Sequence, residues 1–138
     1  MAVISRPRDG ALLVSEYTDP ASPDEVFHRP LGGHVEFGEY AVDTLHRELH
    51  EEIGQGLVQV RLLGVLENIF PWRGGVEHEI VFLYAAAFSD PDAYEIDEQG
   101  IRDEAAGRTR VIWRPARAAR PPLYPTGVAG LLGAAQRP

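Results

Sequence analysis

Residues 31–54 read LGGHVEFGEYAVDTLHRELHEEIG, and they carry Glu36, Glu39, Asp43, Glu48, Glu51 and Glu52 behind a pair of glycines. Like charges three or four residues apart on a helix repel, so the crowding of Glu48, Glu51 and Glu52 needs a physical reason. From Tyr40 to Ile53 the apolar residues Val42, Leu45, Leu49 and Ile53 recur at helical spacing, and Gly54 stands where a C-cap belongs. At roughly 100° per residue the three glutamates span an arc of about 100°, beside the apolar stripe and not opposite it. They are therefore expected at the margin of the buried face, partly desolvated. Arg47 lies four residues from both Asp43 and Glu51 and can pair with either, but one guanidinium cannot neutralise three carboxylates. Two readings stay open on spacing alone. One is a solvated acidic helix face; the other is a divalent-cation site, where metal charge turns repulsion into coordination.

The rest of the chain narrows the choice of metal. There is no cysteine among the 138 residues, so disulfides and thiolate metal sites are excluded. A metal would be held by oxygen or imidazole, and with this many carboxylates a hard cation such as Mg²⁺ or Mn²⁺ is favoured. The net charge is −8, and all 13 basic residues are arginine. A surface of that sign argues against a stable nucleic-acid partner gripped through its backbone, though not against a small phosphorylated ligand. With 44% hydrophobic residues the chain reads as a single domain over residues 1–138. It has no apolar run of membrane-spanning length and no signal-peptide pattern at its start. A soluble cytoplasmic protein without a membrane partner is expected, and a homodimer is left open.

Outward from the acidic helix, AVISRPRDGALLVSEYT reads as two short strands around an Arg-Asp-Gly turn. DPASPDE reads as a loop and VFHRP as a short strand ended by Pro30. VQVRLLGVLENIF and VEHEIVFLYAAAF read as long strands joined by a PWRGG hairpin loop. Residues 89–108 are acidic and loop-like, RTRVIW is a further strand, and GVAGLLGAA is a weak C-terminal helix. Strands and helices mix without regular βαβ alternation, which indicates an α+β fold or a mixed sheet between helices.

These residues carry a resemblance. GHVEFGEYAVDTLHRELHEEIG is similar to the Nudix box: Gly, five residues, Glu, seven residues, then Arg-Glu-aliphatic-any-Glu-Glu-any-Gly-aliphatic. Gly33, Glu39, Arg47, Glu48, Leu49, Glu51, Glu52 and Gly54 match, and Gln55 departs at the final aliphatic position. RPLGG before the box, HEIVFLY after it and LYPTG near the end resemble a common bacterial branch of the family. The resemblance implies a mixed β-sheet sandwiched between α-helices, and a pyrophosphohydrolase acting on a nucleoside diphosphate linked to another moiety. Glu51 and Glu52 would be the principal Mg²⁺ or Mn²⁺ ligands, Glu48 a ligand or the group that orients and deprotonates water, and the Gly32 carbonyl a further ligand. Arg47 and Glu39 would hold the helix and its carboxylates in place. Family members often use one more acid outside the box. Glu79, Glu98, Asp103 and Glu104 are candidates, with Glu104, just before RTRVIW, best placed as an extra ligand or base.

Other residues suit a substrate. Arg29 could meet a phosphate or form a surface salt bridge, and Trp72 could stack a base or leaving group, whereas Phe70 fits half-buried packing. His46 and His50, four apart, lack a third zinc ligand and read as solvated; His78 reads as a strand residue. The rival to a hydrolase is a catalytically inactive Nudix-fold module that binds nucleotides or regulates, and retention of Glu48, Glu51 and Glu52 argues against it. A cation-buffering structural domain is a further rival.

Overall fold

The computed structural model describes residues 1–95, 99–100 and 108–135. Its elements run β1 (Ala2–Ile4), β2 (Leu12–Asp19), β3 (Ser22–Pro30), α1 (Ala41–Ile53), β4 (Leu57–Trp72), β5 (Gly75–Phe88), a 3-10 turn (Pro91–Glu95), β6 (Gln99–Gly100), β7 (Arg108–Arg114) and α2 (Val128–Ala135). The strands form two sheets, ordered β1-β5-β4 and β3-β2-β7-β6. Strand β1 joins them: it runs parallel to β5 (Ala2 opposite Tyr84), while Ala2 bridges to Leu31 and Ser5 to Leu12.

Alternation along the strands divides the interior into two cores. Ala2 and Ile4 of β1, Leu13 of β2 and Phe88 of β5 pack with Leu45 and Leu49 of α1. Val3, Leu12, Val14 and Leu83, on the opposite faces of the same strands, pack with Val128 of α2, joined by Leu131 and Leu132. The sheets therefore lie between two helices, and the expected α+β Nudix architecture holds. Leu45 and Leu49 are buried to 2% and 0% exposure, so the predicted apolar stripe anchors α1. Gly54 ends the helix at φ 68°, its N–H donating to the His50 carbonyl at 2.9 Å. Only a residue that tolerates the left-handed region fits there cheaply. Gln55 is half-buried, and two residues on, Leu57 is buried in the core beside α1.

The two strands expected around the Arg-Asp-Gly turn are β1 and β2, joined across it by the Ser5–Leu12 bridge, while the main partner of β1 is β5. Two sequence expectations need correction. DPASPDE is mostly strand: β2 runs to Asp19, β3 begins at Ser22, and Pro20 and Ala21 form the turn. Asp19 pairs with Ser22 and Thr18 with Val26, so Pro23, Asp24 and Glu25 form a bulge held between two paired positions. The PWRGG loop contracts to Arg73 and Gly74, at φ 51° and 78°. Two positive φ values give the tight turn whose twist matches the flanking strands. Within 89–108 the structure describes the 3-10 turn at Pro91–Glu95 and the short strand β6. Among the described residues no helix is long and apolar enough to cross a membrane.

A buried polar network secures the segment before α2. Arg114 (4% exposed) and His28 (3% exposed) meet at 2.9 Å through Nη1 and Nδ1. Arginine only donates, so His28 Nδ1 accepts, and Nε2–H donates to Glu16 Oε2 at 3.1 Å. Arg110 Nε donates to Glu16 Oε1 at 2.8 Å. Arg114 also donates to the carbonyls of Pro121 and Ala118, and the His28 backbone pairs with Pro122 and Tyr124. Burial, reinforced by the Arg114 charge, holds the His28 imidazole below its ordinary pKa of 6.5 against the opposing pull of Glu16.

The sign of the pH effect follows. As pH falls through about 6.5 the unfolded chain takes up a proton on His28 that the folded chain refuses until lower pH, so stability present above that value is lost on acidification. Denaturant titrations at about pH 7.5 and about pH 5.5 should show a larger loss for the wild type than for His28→Asn, which keeps an acceptor for Arg114 but cannot titrate in that window. Equal losses would assign the titration elsewhere.

Candidate active site

The glycine pair explains how the acids fit. A Cβ on Gly33 would lie 2.1 Å from the Glu48 carboxyl carbon and 2.3 and 2.5 Å from its oxygens. The Glu48 carboxylate therefore rests directly on the Gly33 backbone, a close approach open only to glycine. Gly32 has φ 153°, and a Cβ there would sit 2.8 Å from the Met1 Cα. The loop entering α1 thus passes tightly between the Glu48 carboxylate and the start of β1.

Arg47 answers the repulsion. Its Nε donates to Glu39 Oε1 at 2.8 Å and its Nη2 to Glu39 Oε2 at 3.0 Å, a bidentate pair. Nη1 donates to Glu48 Oε1 at 2.9 Å and to Glu51 Oε2 at 3.3 Å, and Nη2 reaches the His34 carbonyl at 3.3 Å. One guanidinium thus ties the loop to two of the three crowded glutamates, and its main partner is Glu39 rather than either helical neighbour four residues away. Glu39 also accepts from Thr44 Oγ1 at 2.6 Å and from the Glu36 backbone N–H at 3.2 Å. The Arg47 hydrogen bonds, then Thr44, hold the Glu39 carboxyl down at about 2, and Glu39 first, then Glu48, raises the Arg47 pKa above its ordinary value.

Glu48, Glu51 and Glu52 line a cleft of about 1830 Å³ with Gly32 and Gly33. One wall is the β2–β3 hairpin, with Tyr17, Phe27 and Arg29; another is the β4–β5 hairpin, with Phe70, Trp72, Glu79 and Ile80. Arg29 Nη2 donates to Glu79 Oε1, which also accepts from Asn68 Nδ2 at 3.2 Å. The Arg29 guanidinium lies 5.7 Å from the Phe70 ring centroid. Further out, Phe27 stacks on Tyr17 at 5.4 Å and meets Trp72 and Tyr124 edge-on, each at 5.7 Å. Arg29 and Trp72 therefore share one cleft with the acidic helix. Of the acids proposed outside the box, Glu79 joins that cleft, while Glu98, Asp103 and Glu104 lie outside the described residues. Sequence reasoning missed Tyr17 and Phe27; the alternation Phe27, Arg29, Leu31 along one strand face was the available signal. His46 and His50 are exposed, and His78 Nε2 meets Glu67 Oε2 at 3.1 Å on the hairpin.

The donor set suits a hard divalent ion: three carboxylates, a nearby backbone carbonyl and no sulfur. Among the described residues no three acids or imidazoles converge into a ready-made cage. Glu51, whose side chain is 57% exposed, is held only by its 3.3 Å contact with Arg47. Glu48 is held more firmly, by the close Gly33 backbone and by Arg47 at 2.9 Å.

Known proteins resemble the chain in sequence and fold. The NUDIX domain profile matches residues 1–128. The E. coli ORF135 protein in solution is similar at 27% identity and a TM-score of 0.57, over 96% of this chain and 83% of that one. The MutT NUDIX hydrolase from Burkholderia pseudomallei is similar in fold at 24% identity and a TM-score of 0.62, over 95% and 93% of the two chains. The E. coli dihydroneopterin triphosphate pyrophosphohydrolase gives 21% identity and a TM-score of 0.51, over 84% and 78%. No curated protein matches the chain. With all but the last ten residues inside the matched domain and Glu48, Glu51 and Glu52 gathered on one helix, the chain belongs to the NUDIX family and is a Nudix hydrolase acting on diphosphate bonds.

Proposed function

We propose that the chain is an Mg²⁺-dependent pyrophosphohydrolase that cleaves a nucleoside diphosphate linked to another moiety, with water attacking phosphorus. The observation that supports this reading best is the placing of Glu48, Glu51 and Glu52 in one cleft with Arg29 and an aromatic wall. Glu51, Glu52, Glu48 and the Gly32 carbonyl would hold Mg²⁺ or Mn²⁺. When bound, a divalent ion neutralises phosphate oxygens and acidifies coordinated water. Glu48, seated on Gly33 and held by Arg47, takes the proton of the attacking water. Arg47 and Glu39 keep that carboxylate aimed, Arg29 binds a phosphate oxygen, and Trp72 stacks the base or leaving group. Such a reaction belongs in the cytoplasm, where nucleotides and Mg²⁺ occur together, and needs no nucleic-acid partner. Turnover of about thirty nucleoside di- and triphosphate derivatives with Mg²⁺ or Mn²⁺ tests the reading against a binding module; phosphate-containing products should appear for at least one.

Glu52→Gln removes one ligand charge and should lower turnover by about 10²–10³-fold, since a divalent ion contributes several kcal/mol of charge stabilisation. The melting temperature should barely change. Near-normal rates in both Glu51→Gln and Glu52→Gln would show that the metal lies elsewhere.

Chelation should stop activity and leave the protein folded, because Leu45 and Leu49 anchor α1 without any ion. Adding Mg²⁺ back should raise the melting temperature modestly, by the equivalent of about 2.7 kcal/mol at a hundredfold excess over Kd. Global unfolding in chelator, read by circular dichroism, would instead make the metal structural.

Hydrolysis in ¹⁸O-water should place the label on a phosphate oxygen of one product without a covalent enzyme intermediate. There is no cysteine and no serine in a nucleophile-elbow pattern. A trapped phosphoenzyme, or label on a sugar oxygen, would overturn attack by water on phosphorus.

A further inference from the structure

Arg29 and Glu79 come from different sheets, β3 and β5, and meet inside the cleft through Nη2 and Oε1. Both are largely withdrawn from water, at 16% and 26% side-chain exposure. A guanidinium so placed is costly without an anion beside it, and Glu79 is that anion. The same carboxylate oxygen also accepts from Asn68 Nδ2, the residue opposite Glu79 on the β4–β5 ladder. Phe70 lies against the guanidinium. The carboxylate therefore occupies, in the free protein, a donor that a phosphate oxygen can use equally well.

We infer that Glu79 is the resting counter-ion of Arg29, holding the guanidinium in the cleft until a substrate phosphate replaces it. The inference rests on the pyrophosphohydrolase reading, and it gives Glu79 a role in setting affinity instead of one as base or metal ligand. Binding is then an exchange of anions. A phosphate gains Arg29 but must displace or lie beside a carboxylate, which limits its grip and favours product release. Removing the negative charge while keeping an acceptor oxygen leaves Arg29 charged, withdrawn from water and short of an anion. The phosphate then supplies what is missing, and the complex gains relative to the free protein.

The test uses the full chain and inorganic pyrophosphate with Mg²⁺, followed by calorimetry, so that no turnover is needed. Glu79→Gln should bind pyrophosphate about tenfold more tightly than wild type, and Glu79→Asp, which restores the charge, should return close to wild-type affinity. Arg29→Ala should weaken binding, and adding Glu79→Gln to it should change affinity by no more than about twofold, because the two side chains act as one unit. In kinetics on the best substrate of the panel, Glu79→Gln should lower KM. Thermal melts should show a less stable free Glu79→Gln protein with a larger rise on adding pyrophosphate. Unchanged or weaker pyrophosphate binding in Glu79→Gln would overturn the inference, as would a wild type that does not bind pyrophosphate. A fall in kcat of about 100-fold with KM unchanged would do so too, by making Glu79 a base or metal ligand. Failure of the wild type to turn over any panel compound would instead count against the hydrolase reading, and the calorimetric comparison would still decide the role of Glu79.

Discussion

One guanidinium makes the acidic helix possible. Without Arg47, Glu48 and Glu51 would repel each other at the edge of an apolar face, and Glu39 would be tied to the helix by Thr44 alone. With it, the loop from Gly33 to Tyr40 is drawn onto the first turns of α1 through Glu39, Thr44 and the His34 carbonyl. The arrangement leaves Glu48 with a fixed position and Glu51 with freedom, a division that follows from distance: 2.9 Å to one and 3.3 Å to the other. Electrostatic satisfaction and positioning are here the same set of hydrogen bonds.

The helix was legible because its pattern is local. Val42, Leu45, Leu49 and Ile53 repeat at one period, and Gly54 marks the end. The long β4–β5 hairpin was legible for the same reason, since its strands are neighbours in sequence and a glycine-rich turn joins them. What the sequence concealed depends on partners far along the chain. Strand β1 pairs Ala2 with Tyr84, so nothing near the N-terminus reveals which sheet it joins. The segment after Asp19 holds Pro, Asp and Ser, which read as loop until the pairs Asp19–Ser22 and Thr18–Val26 on either side of a bulge draw it into β3. His28, Arg114 and Glu16 looked like three unrelated polar residues, because their meeting needs β2, β3 and β7 side by side.

The candidate site divides in the same way. Glu39, Arg47, Glu48, Glu51 and Glu52 lie within fourteen consecutive positions, and their pattern identified them. Arg29 and Trp72 could be named only as residue types suited to phosphate and base; their shared cleft depends on the approach of two hairpins. Glu79 stood among four acids that spacing could not separate. Tyr17 and Phe27 passed unnoticed because an aromatic pair on adjacent strands looks like ordinary sheet packing until a cleft opens beside it.

The β4–β5 hairpin is also a long arm. Its ladder is irregular between Leu62 and Gly64, and the eight residues from there to Trp72 extend about 26 Å at roughly 3.3 Å per residue. A tilt of about 5° at that irregularity swings the Trp72 end through about 2 Å and moves Glu79 less, in proportion to its shorter distance from the pivot. Any such tilt would therefore widen the mouth of the cleft more than its floor, which lies nearer the pivot and the carboxylates of α1.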